Sequence, residues 1–539
     1  TYMCTASIGP GSLNMVTGAA LATTNRLPVL LFPSDQFATR VPDPVLQQLE
    51  DPTSLDVSVN DAFRPVSRFF DRINRPEQLI PSLLSAMRVL TDPAETGAVT
   101  IAMPQDVQAE VFDWPVELFR KRVWHVRRPV PEPAALERAV ALIKAAKRPL
   151  IIAGGGTIYA GASEELRALA TATGIPVGDT QAGKGAINFD HPSAVGGVGS
   201  TGCDSGNHIA DKADLIIGVG TRYSDFTTAS KTQFKNPDVK FVNINVTPFD
   251  AAKESAEMVV ADAREALAAL TEALADYRVE AAYSEEITAE KEAWLKATER
   301  CYHLDHGPLP AQTEVFGALN ELMGEEDVVI NAAGSMPGDL QALWQARSPL
   351  QYHVEYAFSC MGYEVPAAMG VKLARPEAEV VSIVGDGTYQ MLPMELATVV
   401  QENIKVIYVL LQNYGFCSIG ALSESRGSQR FGTKYRRRGE GSHLADEQVI
   451  DGVDIAANAR SWGLDVLEVH TIAEFKEAYR KAEASDRPTM IHIETDLYGP
   501  NPPGSSWWDV PVSGVSELES TQRAYEEYLR DRKPQRHYL

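Results

Sequence analysis

Short apolar runs closed by glycine or proline recur along the chain, and most are continuous rather than alternating. They are PVLLFP (28–33), AVTIAMP (98–104), PLIIAGGG (149–156), DLIIGVG (214–220), KFVNINV (240–246), DVVINAAG (327–334), EVVSIVGDG (379–387), KVIYVLLQN (405–413) and TMIHIET (489–495). A continuous run of this length fits a strand buried on both faces. Between the runs, PAALERAVALIKAAK (133–147) and TIAEFKEAYRKAEAS (471–485) repeat apolar residues at helical spacing. Strand and helix in alternation mean parallel sheets covered by helices, so the expected class is α/β.

A chain of 539 residues exceeds what one core serves, and at about 150 residues per domain three are expected. The proline-rich RRPVPEPAA (127–135) and the acidic YRVEAAYSEEITAEKEAW (277–294) mark the joints. The expected layout is a domain over 1–128, a second over 129–280, a linker over 281–304, a third over 305–510 and a tail over 511–539, helical near SELESTQRAYEEYLRDR. A net charge of −23 argues against nucleic acid, whose binding needs clustered cations. No run reaches the roughly 18 apolar residues of a membrane span. The five cysteines are scattered without a CxxC, which leaves neither a disulfide framework nor a zinc site and points to the cytoplasm. The chain opens at TYMCTASIGPG with no initiator Met and no signal-peptide pattern, so an upstream segment is expected.

The stretch GDGTYQMLPMELATVVQENIKVIYVLLQN (385–413) carries the most chemistry. In a parallel sheet, ligands gather outside the carboxyl ends of the strands. Gly385 and Gly387 allow a tight turn beside a ligand, and the following helix start offers free N–H groups to phosphate oxygens. Asp386 adds a carboxylate and Asn413 an amide oxygen, hard donors that suit Mg²⁺. Taken singly, Gly-Asp-Gly is also a common turn and an Asn after a strand a common loop starter.

With the intervening helix and strand, however, this stretch resembles the signature of the thiamine-diphosphate enzymes, and the likeness runs over nearly the whole chain. It implies three doubly wound parallel-sheet domains: a pyrimidine domain whose N-terminal part is missing, a Rossmann-like middle domain and a diphosphate domain. It implies a metal held by Asp386, Asn413 and the carbonyl of Gly415, with Gln412 where the family usually has Asn. NAAGSMPGDL (331–340) places Gly334, Ser335 and Met336 at the diphosphate, with Gly385, Gly387, Thr388 and Phe416 around it. AFSCMGYEVPAAMGVKLA (357–374) resembles the aminopyrimidine loop and helix, with Met361 as the wedge that bends the cofactor and the Ser359 carbonyl facing its amino group. Met361 read without its neighbours is a core methionine.

TASIGPGSLNMVTGAALATTNRLPVLLFPSD (5–35) resembles the second half of the pyrimidine domain, and the family's activating Glu falls upstream of it, so no residue here is assigned that role. A lone GGG at 154–156 is too little for NAD, since no GxGxxG follows a strand there. His353, Glu355, Phe416 and Cys417 are placed for packing behind the site or for substrate contact. The loop 423–441 carries six basic residues and reads either as a solvated loop or as a lid over an anion. Six further stretches, among them GTRYSDFTTASKTQF (220–234), YHVEYAFSCMGYE (352–364) and SSWWDVPVSGVSE (505–517), point to a branch of inositol catabolism. That branch hydrolyses a carbon–carbon bond in a cyclic polyol dione to give 5-deoxyglucuronate. The resemblance also implies a homodimer or homotetramer with sites between subunits. Alternatives are an acetolactate-synthase-like carboligase, a noncatalytic cofactor-binding paralogue and an NAD-linked dehydrogenase.

Overall fold

The structure is a computed structural model that describes residues 3–41, 43–438, 444–449 and 453–536. The chain divides into two compact units, Thr1–Pro129 and Val130–Leu539. The first holds a parallel sheet of β1 (Met3–Ala6), β2 (Val29–Asp35), β3 (Phe69–Arg72) and β4 (Ala98–Pro104), in the order β1-β2-β4-β3. Strand β4 alternates its side chains between two cores. Ala98 packs with Ala19 and Ala22 of the helix Val16–Asn25, while Val99 and Ile101 pack with Ala86 and Val89 of the helix Leu79–Leu90. A strand covered on both faces has no polar side to show, which is why its run reads as continuous.

The second unit contains two six-stranded parallel sheets. One is built from β5 (Pro149–Ala153), β6 (Val177–Asp179), β7 (Ala194–Gly197), β8 (Leu215–Val219), β9 (Lys240–Asn245) and β10 (Glu257–Val260), ordered β10-β9-β8-β5-β6-β7. The other begins with β11 (Val328–Asn331), β12 (Tyr352–Val354), β13 (Val380–Gly385) and β14 (Ile407–Gln412). After the antiparallel pair β15 (Arg436–Arg438) and β16 (Leu444–Val449), it is completed by β17 (Asp465–Val469) and β18 (Thr489–Glu494). Its order is β12-β11-β13-β14-β18-β17. In each sheet the chain starts in the interior and builds outward on both sides. The crevices at the carboxyl ends of β5 and β8, and of β11 and β13, are therefore the topological switch points where ligands settle in such folds.

The segment 281–304, expected as a linker, instead carries a long helix, Ala281–Tyr302. Its apolar face is spaced out by exposed acids and turns inward at Tyr283, Ile287, Trp294 and Tyr302. The Tyr283 hydroxyl donates to the Pro149 carbonyl at 3.2 Å, Trp294 Nε1 to Ala342 O at 2.8 Å and the Tyr302 hydroxyl to Leu343 O at 2.7 Å. One helix thus bonds to a strand of the first sheet and to the helix Met336–Leu343 that follows β11.

The tail also returns to the first of these sheets. Trp508 Nε1 donates to Asp225 at 3.0 Å, Asp509 N to Ser230 Oγ at 2.9 Å and Gln535 Nε2 to Ser230 O at 3.0 Å, while the helix Glu519–Asp531 lies between. These bonds pin a turn in which Ala229, Ser230 and Lys231 all have left-handed φ of 45°, 50° and 68°. Among the described residues no helix is long and apolar enough to cross a membrane.

Candidate functional site

Strands β13 and β14 pair in parallel with Gly385 opposite Leu411, which brings the residues just past both strand ends to one level. Gly385 caps the short helix Asp386–Tyr389, and Asp386 is 1% exposed. Its carboxylate accepts N–H bonds from Gly387 at 2.7 Å, Asn413 at 3.3 Å and Tyr414 at 2.6 Å. Burial pushes the Asp386 carboxyl up to about 6, against those bonds, which favour its charged form. Asn413 follows β14 with its Oδ1 buried and without a hydrogen-bond partner among the described residues. A buried amide oxygen left bare costs roughly 1–3 kcal/mol, and a cation would satisfy it. Tyr414, at φ +59°, then turns the chain into Gly415 and Phe416, which are backed by Phe416 N donating to Thr433 O at 2.7 Å.

The loop after β11 closes the other side of the crevice. Gly334 has φ +100°, and a Cβ placed there would meet nothing within 4 Å, so its backbone faces open space. Ser335 Oγ donates to Gln312 Oε1 at 3.2 Å. The Met336 methyl group lies 3.6 Å from where a Gly385 Cβ would be, and a Cβ on Gly387 would lie 2.9 Å from the Phe416 ring. The residues read from the sequence at 334–336, 385–388 and 413–416 therefore converge.

The third wall is the loop before the helix Glu364–Ala374. Glu355 shapes it: its carboxylate accepts N–H bonds from Phe358 at 3.0 Å and Cys360 at 2.7 Å. Ser359 sits exposed at φ +59°. Met361 is 39% exposed, an apolar side chain presented to the opening rather than the core methionine it could have been. Gly362 N donates to Thr388 Oγ1 at 2.7 Å, tying this loop to the turn after β13.

Sequence reasoning did not single out Glu364, which is 0% exposed. Its carboxyl group accepts from Ala333 N at 3.3 Å and meets Thr388 Oγ1 at 3.0 Å, so it touches two loops and reaches the third through Thr388. The available signal was a lone acid inside the otherwise apolar GYEVPAAMGV. His353, pushed down by burial, bonds through Nε2 to the Tyr363 hydroxyl at 2.7 Å. Burial pushes the Cys417 thiol up to about 12 and Cys360 to about 11, so neither is a ready thiolate. Gln412, standing where the family usually has Asn, accepts through Oε1 from His492 Nε2 on β18 at 2.7 Å.

In the segment 423–441, Arg426 donates to Trp508 O at 3.1 Å, Arg430 to Glu424 at 2.7 Å, and Lys434 to the Tyr498 hydroxyl at 2.8 Å. The guanidinium of Arg436 covers the Phe431 ring at 4.8 Å. The side chains of 437 and 438 and all of 439–441 lie outside the described residues. The other switch point differs. Gly154 N bonds Val219 O at 2.8 Å and Gly156 N bonds Gly220 O at 3.0 Å, so two of the three amides of the GGG turn are already taken.

The donor set at 386, 413 and 415, the orphaned Asn413 oxygen and the open cradle at Gly334 fit Mg²⁺ and a diphosphate. Two family descriptions match the chain: thiamine pyrophosphate enzyme, central domain, over residues 136–270, and thiamine pyrophosphate enzyme, C-terminal TPP binding domain, over residues 332–493. The chain is 46% identical over 559 residues to the 3D-(3,5/4)-trihydroxycyclohexane-1,2-dione hydrolase of Bacillus cereus (strain AH820), an alignment covering 99% of the chain and 87% of that relative. The hydrolase of the same name from Bacillus anthracis (strain CDC 684 / NRRL 3495) is 45% identical, and that from Bacillus thuringiensis (strain Al Hakam) 46%, with the same shares covered.

Proposed function

Because the chain belongs to the thiamine pyrophosphate enzymes, and within them to the family of the 3D-(3,5/4)-trihydroxycyclohexane-1,2-dione hydrolases, we propose that it hydrolyses the bond between the two carbonyl carbons of that cyclic dione. One carbon leaves as a carboxylate and the other as an aldehyde, with water consumed, which corresponds to 5-deoxyglucuronate. The observation that carries the cofactor reading is Asn413 Oδ1, buried and bare beside Asp386 at the ends of adjacent strands. Thiamine diphosphate, when bound, supplies a carbon nucleophile for a carbonyl and a sink for the electron pair of the broken bond.

The chain's own residues bind and orient. Asp386, Asn413 Oδ1 and the Gly415 carbonyl would hold Mg²⁺, and Gly334, Ser335, Met336, Gly385, Gly387, Thr388 and Phe416 would surround the diphosphate. Met361 would supply apolar contact to the cofactor, and Glu355 keeps the Ser359 loop in place through its two bonds to it. The assembly that fits the family is at least a two-fold dimer whose sites join first and last domains of different subunits. Its five free cysteines fit a reducing cytoplasm.

Incubation of the protein with Mg²⁺, thiamine diphosphate and either the dione or pyruvate, with products followed by NMR, tests the reaction. The expected result is ring opening of the dione. Acetolactate from pyruvate with the dione intact would identify a carboligase instead.

A further inference from the structure

Glu364 is a buried carboxyl group with no cation bonded to it among the described residues, lodged directly behind the cradle proposed for an anion, and its contacts with Thr388 decide which way that hydroxyl points. Thr388 Oγ1 has one proton and two lone pairs. The Gly362 N–H occupies one lone pair at 2.7 Å, and the 3.0 Å contact to Glu364 uses either the proton or the other lone pair. If Glu364 is ionised, Thr388 must donate its proton to it and offers a diphosphate only a lone pair, which repels. If Glu364 is protonated, it donates to Thr388, and the Thr388 proton is free to turn outward.

We propose that Glu364 takes up a proton when the diphosphate binds, so that Thr388 donates its hydroxyl to the anion instead of to the protein. The inference rests on the cofactor reading above. The Ala333 N–H lies on the other Glu364 oxygen at 3.3 Å, and the backbone N–H groups of Gly362 and Glu364 also favour the charged form, so the arriving anion has to outweigh these donors as well as turn one hydroxyl.

The surroundings leave this carboxyl free to titrate. Burial pushes it up to about 7, and no charged group figures among the causes. The titratable neighbours that feel its charge are Cys360 and Tyr363, both pushed up chiefly by burial, then by Glu355, with a smaller push from Glu364. Asp386 heads the turn that carries Thr388, and Glu395 starts the helix Glu395–Gln401. Strands β11 and β13, which pack against its helix, bring no ionisable side chain in their described spans, and Lys372 at the far end of its own helix donates to Ala378 O at 2.6 Å.

Because the folded pKa lies above the ordinary value, the protein is ready below about pH 7 and must acquire a proton above it. Affinity should then fall up to about tenfold per unit as pH rises beyond 7.

Calorimetric titration of Mg²⁺-loaded protein with thiamine diphosphate, and separately with inorganic pyrophosphate, in buffers of different ionisation enthalpy gives the protons taken up per site. At pH 8 the wild type is expected to take up close to one proton more than Glu364→Gln, whose amide donates to Thr388 permanently. Glu364→Gln should bind about 30-fold tighter than wild type at pH 8.5 and equally at pH 6. Thr388→Val, which lacks the rotating hydroxyl, should bind more weakly and also lose the extra proton. Equal proton uptake by wild type and both variants, or a Glu364→Gln penalty that is the same at pH 6 and 8.5, overturns the proposal. If Asp386→Ala binds the cofactor as wild type does, the cofactor reading itself falls, and this inference with it.

Discussion

The two parallel sheets of the second unit present the same feature, a crevice between the first strand and its neighbour, and treat it in opposite ways. At the end of β5, a Cβ on Gly154 would lie 2.4 Å from Gly220 O, and one on Gly156 2.7 Å from Gly220 Cα. These glycines let two loops pack backbone to backbone, and the crevice is filled. At the end of β11, Gly334 has left-handed φ and open space where a Cβ would go, and Asn413 Oδ1 waits bare opposite. A glycine cluster after a strand therefore does not itself mark a phosphate site. What distinguishes the two is whether the space beside the glycines is filled by another loop's backbone.

The sharpest way to break this comparison is Asp386→Ala, which removes the carboxylate of the open crevice. Mg²⁺-dependent affinity for thiamine diphosphate should drop by at least about 100-fold, beyond what removing a supporting residue usually costs, while the thermal midpoint of the cofactor-free protein holds. Unchanged affinity by calorimetry would remove this crevice from contention. Gly156→Ala should do the reverse. Overpacking at Gly220 is expected to cost about 1–3 kcal/mol in denaturant titrations without altering cofactor affinity.

A smaller effect separates ligand from scaffold. Asn413→Ala should weaken Mg²⁺ binding about tenfold yet leave the cofactor-free protein as stable as before or slightly more so, because a bare amide oxygen is deleted along with the ligand. A large loss of stability would mean that the oxygen has a structural partner after all. The smallest expected effect is none: NAD titrated up to millimolar concentration, read by saturation-transfer NMR, should show no contact with the closed crevice. Binding there would show that the loops at 154–156 and 220 can part.

All nine apolar runs became strands, because interior parallel strands cannot show polarity on either face. Strands β1, β3, β6, β7, β10, β12, β15, β16 and β17 were not legible. β1 is mostly exposed, and β6 and β12 are only three residues long, VGD and YHV, too short for any period to register. The helix Ala281–Tyr302 was obscured by its acids, since composition outweighed the inward spacing of Tyr283, Ile287 and Trp294. In the site, the Asp386 and Asn413 pairing could be read because both residues end strands. Glu364 and Glu355 act through loops distant in sequence, and nothing local to either says what it will hold.

The left-handed turn at Ala229–Lys231 has a consequence for how the protein is made. Three such residues are costly, by roughly 1–2 kcal/mol each, and beside local bonds to Asp225, Phe226 and Thr228 they are held by Asp509, Gln535 and Arg536. A ribosome adding about 5–20 residues per second reaches those residues some tens of seconds after it has released the turn. During that interval the nascent polypeptide holds a Rossmann-like sheet whose left-handed corner has only its local bonds, so the tail's clasp on it awaits the end of translation.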